Sequence, residues 1–281
     1  MAGINACIVE LSMSVWTARK LDKKASREVK DSKSANSDDA ARVNKNLMAG
    51  LDNLKKITDF SSMVRMELNK QTLPWSDNGQ RLVPMLQFYD LKQWLNEKEN
   101  EFNVLVNEFL RDYPTLISAQ AFQLGALFDR NEFPSVHDIA GKFAFRVGYI
   151  PLPQAGDFRV DVVAEMKQEL QEQYENIYQD RIKQVNQDLW GRLHEILTRM
   201  SDRLGYNEDG TKKVFRDSMV TNAVELTDIL KRLNVTRDPE LERARAHLES
   251  MLLGVDAEEL RKDGARDEIK EKVDSALNAW F

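Results

Sequence analysis

From Asp161 to about Leu204 the chain runs without proline and with one glycine, while apolar residues return at Val162, Met166, Leu170, Tyr174, Ile177, Val185, Leu189, Leu193, Ile196, Met200 and Leu204. Most steps are three or four residues, the spacing that puts side chains on one helical face. A helix of ~44 residues would measure ~66 Å at ~1.5 Å per residue, against ~30 Å for a small domain. Such a rod is expected to lay part of its apolar stripe on a second module or on another chain. The residues expected to form an assembly face are Val185, Leu189, Leu193, Ile196 and Met200, with Trp280 and Phe281 at the apolar end of the chain.

The remaining patterning predicts an α+β chain, mainly α, with a small antiparallel-type sheet in the N-terminal half and a long-helix bundle in the C-terminal half. Cys7 to Trp16 alternates apolar and polar residues, the signature of a half-buried strand in which Ile8 and Trp16 interrupt the polar face. Ser37 is a predicted N-cap for a helix continuing to about Asn69 along Val43, Leu47, Leu51, Leu54, Ile57 and Val64. Asp77-Asn78-Gly79 is turn chemistry between Pro74 and Pro84, and Arg81 to Val83 offers a short third strand. A helix is predicted from Pro84 to Tyr113, stopped by Pro114, with a short helix from Leu116 to Phe128. Phe143 to Tyr149 alternates again and is the expected partner of the first strand. Gln154 to Asp157 reads as a hinge, which divides the chain into a mixed module over 1–155 and a helical module over 156–281. Beyond the long helix, helices are expected over 214–233, from Asp238-Pro239 to Leu252, and over 256–280.

Charged residues make up 31% of the chain, above the ~25% of an ordinary globular domain, which suits long helices with solvated faces. The net charge of −6 is uneven: nine basic residues against five acidic ones between Arg19 and Lys45 give that segment +4 and leave −10 elsewhere. Arg19, Lys20, Lys23, Lys24, Arg27 and Lys30 are therefore the candidate contacts for nucleic acid or an acidic partner, set against the plainer reading of a solvated loop or helix face. The single cysteine, Cys7, excludes an intramolecular disulfide and fits a reducing, cytoplasmic compartment. Neither a signal peptide nor a membrane span is expected.

Catalytic signatures are missing from the sequence. His137, His194 and His247 stand outside metal-ligand spacing, so no metal site is expected, and neither phosphate-binding glycine fingerprint is present, so no cofactor is expected. Asp209-Gly210-Thr211-Lys212-Lys213 lacks the upstream glycine and strand of a phosphate loop. Glu165, Glu169 and Glu172 fit a solvated helix face, since paired-carboxylate chemistry needs acids converging from separate elements.

The segments LSMSVWTARKLDKKA, LPWSDNGQRLVP, FPSVHDIAGKFAFRVGYIPLP and GDFRVDV together resemble a family of phages and prophages known only as a domain of unknown function. The likeness spans most of residues 7–204, and its motifs are structural. Genes of that family are often near those of MoxR-type AAA ATPases and von Willebrand A-type proteins, so the resemblance implies a helper or adaptor role in the cytoplasm of a bacterial host and no catalytic residues. The expected function is a non-enzymatic phage accessory or adaptor protein that assembles through helices, with itself or another protein, in an AAA ATPase system. A single-stranded DNA-binding protein of phage replication, recombination or transcription is the alternative, and an enzyme with an unrecognised site is a third.

Overall fold

The computed structural model describes residues 4–37, 39–152 and 164–281, with the side chains of 164–167 and 263 excepted. The chain is α+β and mainly α. Its elements are β1 (Ala6–Ser14), β2 (Arg19–Asp22), α1 (Lys23–Ser32), β3 (Val43–Asn46), α2 (Asp52–Gln71), β4 (Leu73–Pro74), β5 (Arg81–Pro84), α3 (Met85–Leu124), α4 (Val136–Ala140), β6 (Ala144–Pro151), α5 (Ala164–Leu204), α6 (Ser218–Leu233), α7 (Pro239–Leu252) and α8 (Asp263–Trp280). One sheet has the order β4-β5-β1-β6, and a second pairs β2 with β3. β5 is antiparallel to both β1 and β4, with Cys7 opposite Val83 and Leu73 opposite Leu82. The expected third strand thus lies between β4 and β1, and Pro74 sits on the edge strand, where a missing N–H costs no ladder bond.

Two compact units divide the chain otherwise than at 155/156: one comprises Met1–Glu10, Glu67–Leu91 and Gly148–Phe281, the other Leu11–Met66 and Lys92–Val147. β1, α2, α3 and β6 each run from one unit into the other. The expected boundary fails because the first strand and the 73–84 hairpin join the core of the C-terminal helices: Ile8, Leu73, Trp75 and Leu82 belong to the same buried cluster as Leu189, Leu230 and Val273. The proposed hinge over 154–157 lies outside the described residues, as do Asp161 to Val163 at the start of the long run.

In this first unit α5 is one unbroken helix of 41 residues, about 60 Å long at ~1.5 Å per residue. From Val185 onward its stripe is covered by the chain itself. Val185, Leu189, Leu193 and Met200 have no exposed surface and Ile196 has 8%. The expectation that these five form an assembly face is corrected: α6, α7 and α8 fold back over them. The end of α5 is capped by Arg266, which is 2% exposed. Its Nε donates to the Leu204 carbonyl at 2.9 Å, and its Nη2 donates to the carbonyls of Arg203, Gly205 and Lys213 at 2.7–3.1 Å. A cation among the last carbonyls of a helix offsets the negative end of its dipole.

The last turn of α2 ends the same way. Arg192 donates to the carbonyls of Lys70 (2.7 Å), Asn69 (3.0 Å) and Thr72 (2.7 Å), and Arg81 donates to those of Asn69 and Thr72 at 3.0 Å. Burial lowers the Arg81 guanidinium to about 10; Asp188 opposes that shift and Arg192 adds to it.

The second unit differs most from the sequence expectation. The segment expected to be helical from Ser37 is strand β3 at Val43–Asn46, paired antiparallel with β2, and the helix begins only at Asp52. Side chains supply the reason. The Val43 N–H donates to Ser26 Oγ at 2.9 Å, and Lys45 Nζ lies between Asp22 (3.2 Å) and Glu132 (2.5 Å) while donating to the Leu127 carbonyl at 2.9 Å. The Lys45 side chain is 6% exposed. Burial alone would lower its pKa, but hydrogen bonds to Glu132 and Asp22 outweigh that and raise it.

Pro114 does not end a helix either, since α3 continues through it for 40 residues to Leu124. The break in hydrogen bonding is bridged by anchors on both sides. The buried Tyr113 donates its hydroxyl to the Pro134 carbonyl at 3.1 Å and meets the Trp16 ring edge-on at 5.7 Å, and Gln120 Nε2 donates to the Ala49 carbonyl at 3.1 Å.

Candidate binding cleft

α5 changes character along its length. Between Gln168 and Gln184 no residue is buried, whereas from Val185 the stripe is enclosed. Where the stripe emerges, Ile182 and Tyr178 form one wall of a cleft of about 1620 Å³ within the first unit. The opposite side is built by the start of α3 and the end of β6. Met85 and Leu86 follow directly on β5, and the Met85 N–H is taken up by the Asn5 carbonyl at 3.0 Å, which fixes where α3 begins. Phe88 packs edge-on against Tyr149 at 5.1 Å, so the floor is aromatic. Leu86 is 95% exposed and Met85, Tyr89 and Ile150 are also exposed. A patch of this kind in water marks an interaction surface more readily than scattered single leucines do.

The third side is the α6–α7 connection, and it carries charge. Lys231, Arg232 and Arg237 line the cleft and are exposed; Glu175 is its single acid among the described residues. The connection is tightly held. Asn234 Oδ1 accepts the Asp238 N–H at 2.9 Å and Asn234 Nδ2 donates to the Asp238 carbonyl at 3.0 Å. Thr236 Oγ1 donates to Asn186 Oδ1 at 2.8 Å, and Asp238 caps α7 through the Glu240 and Leu241 N–H groups. Arg237 sits at φ +54°, a left-handed backbone that a non-glycine residue holds only when its surroundings enforce it. Burial, with Glu175 adding to it, raises the Tyr178 phenol above its ordinary value. Cys7 also reaches the cleft; burial raises its thiol, which disfavours the nucleophilic thiolate.

Trp280 and Phe281 pack back onto α5. Trp280 packs on Trp190 at 6.2 Å, and Phe281 meets Trp190 at 5.7 Å and His194 at 4.7 Å, although Phe281 keeps 53% of its surface. The six basic candidates lie in the second unit, Arg19 and Lys20 on β2 and Lys23, Lys24, Arg27 and Lys30 on α1. All but Lys30 are exposed, and among the described residues no carboxylate pairs with Arg19, Lys20, Lys23, Lys24 or Arg27. Lys23, Arg27 and Lys30 share one helical face by spacing.

The cleft residues were not singled out by sequence. Leu86 falls off the 88/91/95 spacing that marks the core face of α3, and that departure was the available signal. Lys231 and Arg232 read as an ordinary basic last turn of a helix. Glu169 and Glu172 are exposed, and no group of three or more His, Cys, Asp or Glu is placed to hold a metal among the described residues. Asp209 Oδ1 accepts from the Thr211 N–H and hydroxyl, the hydrogen bonding of an ordinary turn. No helix among the described residues is long and apolar enough to cross a membrane. The chain matches no family model, no curated protein and no solved structure.

Proposed function

We propose that this chain is a non-enzymatic accessory protein that acts by docking a protein helix in the cleft beside the first half of α5. The observation that carries the reading is the combination of an open apolar surface, Leu86 at 95% exposure above all, with a rigid basic rim of Lys231, Arg232 and Arg237. An occupant suited to it presents apolar side chains on one face and carboxylates beside them. The resemblance to the phage family makes a MoxR-type ATPase the heteromeric partner to test first. A photo-crosslinking residue at Leu86, with Val214, 83% exposed and outside the cleft, as control, tests the reading in cells producing the chain. A discrete protein adduct at 86 and none at 214 is expected. Absence of any protein adduct at 86 removes the proposal.

A second reading, single-stranded DNA binding, is favoured by the five exposed cations of β2 and α1 that no described carboxylate neutralises. Lys/Arg–phosphate contacts make affinity fall steeply with salt, with a slope near ~0.7 per phosphate neutralised on a single strand. Fluorescence anisotropy of a labelled oligonucleotide from low to moderate salt, with the Lys23→Glu, Arg27→Glu double variant beside the wild type, decides it. Equal binding by the two proteins removes this reading.

A further inference from the structure

We infer that the occupant of the cleft is the first half of α5 from a second copy of the chain, an inference that rests on the docking function proposed above. The segment Gln168 to Asp180 reads QELQEQYENIYQD, with four acids and no base. No residue of it is buried, and Ile177 is 51% exposed. It therefore has an uncovered apolar side at Leu170 and Ile177 and an acidic side at Glu169 and Glu172. That is the complement of the cleft, whose apolar floor is edged by Lys231, Arg232 and Arg237. Thirteen residues span ~20 Å as a helix.

The same segment also forms one wall of its own cleft through Glu175 and Tyr178. Donor and acceptor surfaces are thus adjacent on one molecule, the arrangement an isologous two-fold contact requires. Each copy inserts its acidic stripe against the other's basic rim, and every contact is made twice. The charge pairs sit at the edge and set orientation, while Leu86 and Ile150 supply the apolar contact.

Sedimentation equilibrium at tens of micromolar tests this. The wild type is expected at twice its 32.4 kDa monomer mass. Reversing the rim (Lys231→Glu, Arg232→Glu, Arg237→Glu) or the stripe (Glu169→Lys, Glu172→Lys, Glu175→Lys) should each weaken self-association by ~100-fold or more through like-charge opposition. Mixing the two reversed proteins in equal amounts should restore a dimer, which separates a lost contact from a lost fold. A wild-type monomer overturns the inference, as do reversed variants that remain dimeric or a mixture of helical, folded variants that stays monomeric. Transfer of single-stranded DNA binding to the cleft overturns it as well. A wild-type monomer that still forms a Leu86 adduct with a different protein leaves the docking function standing without the second copy, whereas the absence of any adduct removes both.

Discussion

Replacing Arg266 tests the helix-end account most directly. The guanidinium is 2% exposed and donates to four backbone carbonyls, three of them at the end of α5. It also lies over the rings of Tyr206 and Phe215 at 5.8 and 5.5 Å. Arg266→Met keeps much of the volume and removes every donor. Hydrogen bonds involving a charged group contribute ~1.5–3 kcal/mol each, and an unsatisfied buried acceptor costs ~1–3 kcal/mol. These contributions are not additive, because released carbonyls regain water where the turn opens, so ~4 kcal/mol is the expected loss, a large part of the ~5–15 kcal/mol that holds most domains folded. Arg266→Lys returns one point-like donor without the fork and should lose ~2 kcal/mol. Urea unfolding is followed by tryptophan fluorescence, in which Trp75, Trp190 and Trp280 report on the first unit and Trp16 and Trp94 on the second. If Arg266→Met shifts stability by under ~0.5 kcal/mol, the capping argument is refuted, since that is the range of a surface substitution.

Four further outcomes rest on other contacts in the chain. Asp22 accepts the Ala25 N–H at the start of α1 and pairs with Lys45, so Asp22→Ala should lose ~1–2 kcal/mol as a cap, and Asp22→Asn should lose less by keeping the cap, measured by urea unfolding at pH 7. The Ala25 N–H holds the Asp22 carboxyl below its ordinary value, with burial opposing and Lys45 assisting, so its contribution is present above ~pH 4 and disappears as pH falls through the lowered folded value; wild type and Asp22→Asn should converge in stability at the acid end of a pH series. Pro114 is exposed inside α3, and Pro114→Ala should stabilise the chain by up to ~3 kcal/mol if the missing hydrogen bond to the preceding turn forms, read as a higher thermal midpoint of unfolding. Gly79 has φ +85° with open space where a Cβ would stand, so Gly79→Ala should cost ~1–2 kcal/mol from backbone strain alone, read by the same denaturation series.

Local patterning carried far where one physical rule dominated. The β1 alternation, the turn at Gly79, the Pro239 start of α7 and the α5 stripe were all legible because hydrophobic period and turn chemistry agree there. Local rules failed at Pro114, whose helix-breaking tendency is overruled by the anchoring of Tyr113 and Gln120. They failed again at Val43–Asn46, where an apolar spacing compatible with a helix is drawn into a ladder by Ser26, Asp22 and Glu132. The partners in both cases lie tens of residues away or on another element, which a local period does not record.

The sequence by itself determined that the chain is mainly helical with a small sheet, that a long amphipathic helix organises its C-terminal half, and that its positive charge concentrates between Arg19 and Lys45. Periodicity and charge are properties of neighbouring residues, so they survive without a fold. Only the tertiary structure decided which part of the α5 stripe is spent inside the chain and which part remains open. The stripe from Val185 to Met200 is enclosed by α6, α7 and α8, and the uncovered stretch lies earlier, between Gln168 and Ile177, ahead of Tyr178 and Ile182, which line the cleft with Leu86 and the Lys231–Arg237 rim. A hydrophobic pattern specifies that a face is to be covered; what covers it depends on where distant segments return.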